Sequence, residues 1–148
     1  SGVDFSIGTM NSKFAGTFDG NNKTITVNYG GDTLFNYVDG ANISKLTVAG
    51  TINTSSADAA GLICNSYGNT TIDNCTSSVT INSTYNGGSA NGGFVSAVMG
   101  GKLTIKDSTF DGSFIGQNTY GWGGFVGVSG SNVLSREHFR HPHRRRRL

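Results

Sequence analysis

Two phrases alternate along this chain, and the spacing of their repeats restricts the fold more than any other feature. "ANISKLTVAGTI" (41–52), "TTIDNCTSSVTI" (70–81) and "LTIKDSTFDGSF" (103–114) align without gaps. Ile43, Ile72 and Ile105 coincide, as do Ile52, Ile81 and Phe114, while Leu46, Cys75 and Ser108 share a third position. A second phrase precedes each: "DTLFNYVDG" (32–40), "AAGLICNSYG" (59–68), "NGGFVSAVMGG" (91–101) and, last, "GWGGFVGVSG" (121–130). Aligned on Phe35, Leu62, Phe94 and Phe125, these second phrases lie 27, 32 and 31 residues apart. Each unit reads as two or three short strands joined at glycine-rich corners. A single unit cannot bury its own apolar side chains, but stacked units can, with like residues lying over one another. Coils would then rise by ~4.8 Å, the spacing of neighbouring strands. A β-sandwich is the competing all-β solution, but sandwich strands do not require like residues in register at this period.

Composition supports an all-β chain. Gly, Asn, Ser and Thr are abundant, helix formers show no periodic arrangement, and glutamate is absent before Glu137. Thr, Val, Ile and Phe supply strand propensity; Gly, Asn and Asp supply turns. One domain, residues 1–133, is the natural division for 148 residues. This body carries five lysines and eight aspartates, a net charge of −3, and so presents no electrostatic footprint for nucleic acid. No stretch approaches the ~20 apolar residues of a membrane helix. No signal peptide is visible.

"GGFVSAVMGGKLTIKDSTF" and "AGLICNSYGNTTIDNCT" resemble the GLUG-type repeats of bacterial surface proteins. That unit runs small–Gly–aliphatic–aliphatic, then a turn, then an Ile two residues before an Asn-Cys pair; Ile72, Asn74 and Cys75 match it. Ile105, Asp107 and Ser108 match in part, and "FAGTFDGNNKTITVNY" (14–29) is similar to the opening coil of such proteins. The likeness covers roughly residues 12–133. It implies a right-handed parallel β-helix, of about four or five coils here, on an exported bacterial protein, often adhesin-like and sometimes the accessory region of a secreted peptidase. Such a segment is expected to continue into neighbouring coils of a longer chain.

The end of the chain breaks the pattern. Residues 134–148 hold all six arginines, all three histidines and the only proline. They are expected to be disordered or foreign to the domain: out-of-frame translation, a native basic anchor for an acidic polymer, or a processing remnant. His138, His141 and His143 lack the partners that would complete a metal site, and neither metal nor cofactor is expected.

The parallel β-helix also carries polysaccharide lyases and hydrolases. Lyase chemistry needs a base and a cation at the uronate carboxylate, and the body has no arginine and no histidine. A glycosidase needs two carboxylates across one cleft; Asp107 and Asp111 are the nearest approach. Asp19-Gly20, Asp39-Gly40 and Asp111-Gly112 read as turns with glycine at positive φ. Asp19, Asn21 and Lys23 lack the ligands of a calcium loop. Cys64 and Cys75 read as buried free thiols. No catalytic residues are therefore assigned, and the rival possibility is a pectate-lyase-like enzyme whose catalytic coils lie elsewhere. Six Asn-x-Ser/Thr sites, beginning with Asn22 and Asn42, would matter only in a eukaryotic secretory host.

Loops between units are the expected seat of function, since solenoid strands are committed to stacking. "NSTYNGGSANGG" and "IGQNTYGWGG" hold Tyr85, Asn86, Asn118, Tyr120 and Trp122. Aromatic rings beside amides suit a sugar, with the ring on its apolar face and the amides on its hydroxyls. The alternative is that Tyr120 and Trp122 fold back over the solenoid flank. The expectation is thus a non-catalytic, extracellular or cell-surface segment, an adhesin or stalk, whose partner is a glycan or a host-surface protein.

Overall fold

Apolar and polar residues alternate through "TITVNY" and "TSSVTI", and glycine or asparagine interrupts each run, so the chain forms short strands separated by corners. The computed structural model describes residue 2 and residues 5–30, 33–87, 90–116, 122–129 and 132–136. Among the described residues there are fifteen strands and no helix, hence none long and apolar enough to cross a membrane.

The strands fall into three sheets, each running along the stack, with every strand pairing parallel. The long sheet contains β1 (Thr17–Tyr29), β3 (Asn42–Thr54), β6 (Thr70–Asp73), β7 (Thr76–Ser83), β10 (Lys102–Lys106), β11 (Thr109–Phe110), β12 (Ser113–Gly116) and β15 (Asn132–Arg136). A four-stranded sheet stacks β2 (Phe35–Asp39), β5 (Ile63–Tyr67), β9 (Val95–Val98) and β14 (Val126–Ser129). A third wall stacks β4 (Asp58–Ala60), β8 (Ala90–Gly92) and β13 (Trp122–Gly123). The protein is therefore a parallel β-solenoid. It completes about three turns rather than the four or five expected. The shortfall lies at the ends, where residues 7–14 touch β2 by only two bridges and β15 lies over β10 alone.

The predicted columns are present. Phe18, Ile43, Ile72 and Ile105 stack in register, and so do Tyr29, Ile52, Ile81 and Phe114. Most of these side chains are fully buried and form one continuous core. The second phrase aligns differently from the sequence alignment. Phe35 pairs with Ile63, and Ile63 with Val95. Leu34, not Phe35, is thus level with Leu62, Phe94 and Phe125. Phe35 instead fills the base of the core, with the rings of Phe14 and Phe18 at 5.4 and 5.3 Å.

Glycines mark where coils approach most closely. A Cβ on Gly61 would collide with the carbonyl oxygen of Gly93, and one on Gly93 with that of Gly124. The repeated Gly before the apolar pair is therefore a contact requirement between coils. The opposite corner uses left-handed backbone, at Lys45, Asn74 and Asp107, one residue per coil. Asn and Asp tolerate this conformation best. The Asp-Gly turns differ from expectation. Gly40 has φ of 71°, but at the first of them the positive φ falls on Asn21 and Asn22, with the Asn21 amide donating to Asp19 Oδ1 at 2.8 Å. Gly20 and Gly112 are needed for space instead. Their Cβ positions would meet the backbone oxygens of Lys45 and Val79.

Candidate functional site

The loop edge and one broad sheet face are the two surfaces that the fold offers for recognition. The connection after β7 places Tyr85 half-buried and Asn86 exposed. It is tied down at its start: the Thr84 amide donates to Thr54 O at 2.9 Å and the Tyr85 amide to Ser83 Oγ at 3.3 Å. Gly87 lies against the Tyr85 ring, so a larger residue there would have to shift the ring. Trp122 is a strand residue in β13, paired with Asn91, and its half-buried ring packs on Phe114 at 5.6 Å. Trp122 thus folds onto the solenoid flank. Asn118 and Tyr120 lie outside the described residues, as do His138, His141 and His143.

Sequence reasoning missed the broader surface, the outward face of the long sheet beyond the left-handed corner. Every second residue of β1, β3, β7 and β11–β12 points out here, and the ladder keeps those residues in register across four coils. Thr24, Thr47, Thr76 and Thr109 form one column. Asn28, Thr51, Thr80 and Ser113 form another, in which Thr80 and Ser113 share a hydrogen bond of 3.2 Å. Between them Ser78 Oγ donates to Asp111 Oδ1 at 2.5 Å. At the far edge Asn82 Nδ2 donates to Asn53 Oδ1 at 3.3 Å, beside the start of the Tyr85 connection. The signal was present as the recurring Thr-x-x-x-Thr/Ser spacing of "TVAGT", "TSSVT" and "TFDGS", but it acquires meaning only once these residues share a face.

Charged residues are dispersed. Lys106 pairs with Asp73 at 3.4 Å and Lys45 with Asp19 at 4.0 Å, all four well exposed, so each pair adds little to stability. Asp107 occupies the corner and Asp111 the hydroxyl face. Among the described residues no group of three or more His, Cys, Asp or Glu is placed to hold a metal. Cys64 and Cys75 are both buried, and they are not joined in a disulfide. Burial pushes the Cys75 thiol up to about 11, partly offset by backbone hydrogen bonds. It stays protonated near neutral pH and is a poor nucleophile. Among the described residues three further side chains are buried without polar partners: the hydroxyls of Ser66 and Ser77 and the Asn91 amide.

A family model described as the GLUG motif matches residues 55–82. That segment is one turn of the solenoid, from β4 through most of β7. It includes the close-approach Gly61, the left-handed Asn74 and the buried Cys75. No curated protein and no solved structure matches the chain.

Proposed function

We propose that this chain is a non-catalytic solenoid segment of an exported bacterial surface protein, an adhesin or stalk that binds a neutral glycan at its loop edge. The observation that carries the reading is the placement of exposed Asn86 and half-exposed Tyr85 on a tethered connection beside the Asn53–Asn82 amide pair. A ring and several amides within one edge fit the apolar face and the hydroxyls of a pyranose. Among the described residues the carboxylates are dispersed, with no pair set across one cleft, which favours binding over hydrolysis.

A glycan array probed with the full chain tests this. Binding to a neutral glycan, weakened in Tyr85→Ala and in Asn86→Ala, is expected. Release of product from polygalacturonate, abolished by Asp107→Asn, would overturn the non-catalytic reading in favour of a lyase-like enzyme.

A further inference from the structure

The outward face of the long sheet has a regularity that a loop-edge sugar site does not use. Its columns repeat across the strands every ~4.8 Å and along each strand every ~6.6 Å, two residues of rise. The pairing of β3 with β7 keeps one register over eight residues, including Gly50, which takes φ of 111° beside Thr51. Threonine dominates, and its branched Cβ restricts the side chain in a strand. Each Thr therefore presents a methyl and a hydroxyl at a nearly fixed position. The hydroxyls and amides are further oriented by bonds between coils, Thr80 to Ser113 and Asn82 to Asn53.

The chemistry of the face narrows what it can take. Among the described residues its outward columns hold no lysine, arginine or aromatic residue; Ala49 and the exposed Ile115 stand among the hydroxyls and amides, Lys23 is exposed at the bordering corner, level with the inward Leu46, and the one charge in the columns, Asp111, is engaged by Ser78. An ionic polymer would find no counter-charge, and a pyranose would find no ring to stack on. A partner complementary to this face is neutral, rigid, periodic in two dimensions and made of hydroxyl-type donors and acceptors. Ordered solid water meets all four conditions. The methyl rows add an apolar component, and the bonds between coils hold the hydroxyls in place before contact, which lowers the ordering cost. We infer that this face binds ice, with the central hydroxyls of Thr51 and Thr80 at the middle of the contact.

The test uses the full chain, in ice-recrystallisation inhibition and in partition into a slowly growing ice front. The wild type is expected to slow recrystallisation and to be enriched in the ice. Thr51→Lys with Thr80→Lys should abolish both, while Tyr85→Ala should leave both unchanged, which separates this site from the glycan edge. Circular dichroism reports whether the lysine pair folds. If it does not, the single Thr51→Tyr, strand-compatible and outward-facing, should produce the same loss by breaking the grid. Exclusion of the wild type from ice, or retention of activity by the folded lysine variant, would overturn the inference. So would retention on powdered cellulose that the lysine pair abolishes, which would assign the face to a crystalline polysaccharide.

Discussion

The two ends of the stack are built differently. At the first end the chain folds back over its own opening coil. Gly2 lies on the backbone of Thr26 and Val27, the Tyr29 hydroxyl donates to Phe5 O at 2.5 Å, and the Ile7 amide donates to Leu34 O at 2.8 Å. These contacts give partners to backbone groups that an end coil would otherwise leave bare. At the second end β15 covers β10 only. Among the described residues no strand lies beyond β12, β13 or β14. Phe110, Phe114, Trp122 and Phe125 form a half-buried aromatic floor there, and Ile115 is 54% exposed. Uncovered edges of this kind invite pairing with another strand. The contrast teaches that a solenoid's interior repeats but its stability does not: a residue's worth depends on whether a coil lies on both sides of it.

The largest expected effect tests that statement directly. Ile81→Ala, in mid-stack between Ile52 and Phe114, should cost about 2–5 kcal/mol in denaturant unfolding. Phe114→Ala, at the open end, removes more atoms but should cost no more than about 2 kcal/mol, since its ring is only partly buried. Equal costs would mean that the open end is covered in solution. A second effect concerns Cys75, buried in mid-stack. Its thiol pKa rises on folding, so the folded state holds the proton more tightly than the unfolded chain. The stabilisation is complete below pH 9.0, the ordinary thiol value, and is lost as pH climbs towards about 11. The loss amounts to roughly 2–3 kcal/mol. Unfolding at stepped pH should show this fall, and Cys75→Ser should remove it.

The glycine column sharpens the comparison further. Gly93→Ala forces a Cβ onto the Gly124 carbonyl and should cost about 1–3 kcal/mol. At Gly124 the same methyl meets only Phe110 Cδ1 at 3.5 Å. Gly124→Ala should therefore fall within about 0.5 kcal/mol of the wild type. Thermal melts of the two variants side by side would read the difference. A modest loss is expected at the capped end. Tyr29→Phe deletes the bond to Phe5 O and should cost about 1 kcal/mol, with faster amide exchange in β1 and no change in β12.

Much of the solenoid was legible because its determinants repeat in the sequence. Ile43, Ile72 and Ile105 aligned by eye and stack in the structure. The same holds for Ile52, Ile81 and Phe114. Cys75, read from the sequence as buried, is buried level with Leu46 and Ser108, and its amide donates to Ser108 Oγ at 3.1 Å. The offset of Phe35 was not legible, because an apolar pair such as Leu34-Phe35 can align with Leu62-Ile63 in either register. Only the backbone ladder, with the Phe35 amide on Leu62 O, distinguishes them. The role of Gly20 was misassigned for a related reason. An Asp-Gly pair carries the same local signal whether glycine is required for its torsion or for the coil beside it. Trp122 stood among loop residues in the sequence, yet two residues of β13 suffice to turn its ring onto Phe114.

The sequence by itself determined the architecture: the period of the repeat, the inward columns and the chemistry of the corners. These depend on residue type at a position and on recurrence, both of which can be read along a line. The tertiary structure alone decided the register between phrases, the folding back of the first residues, and the gathering of threonines from four coils onto one face. Each of these rests on contacts between residues some thirty positions apart. Such contacts exist only after every coil has taken its place on the one before.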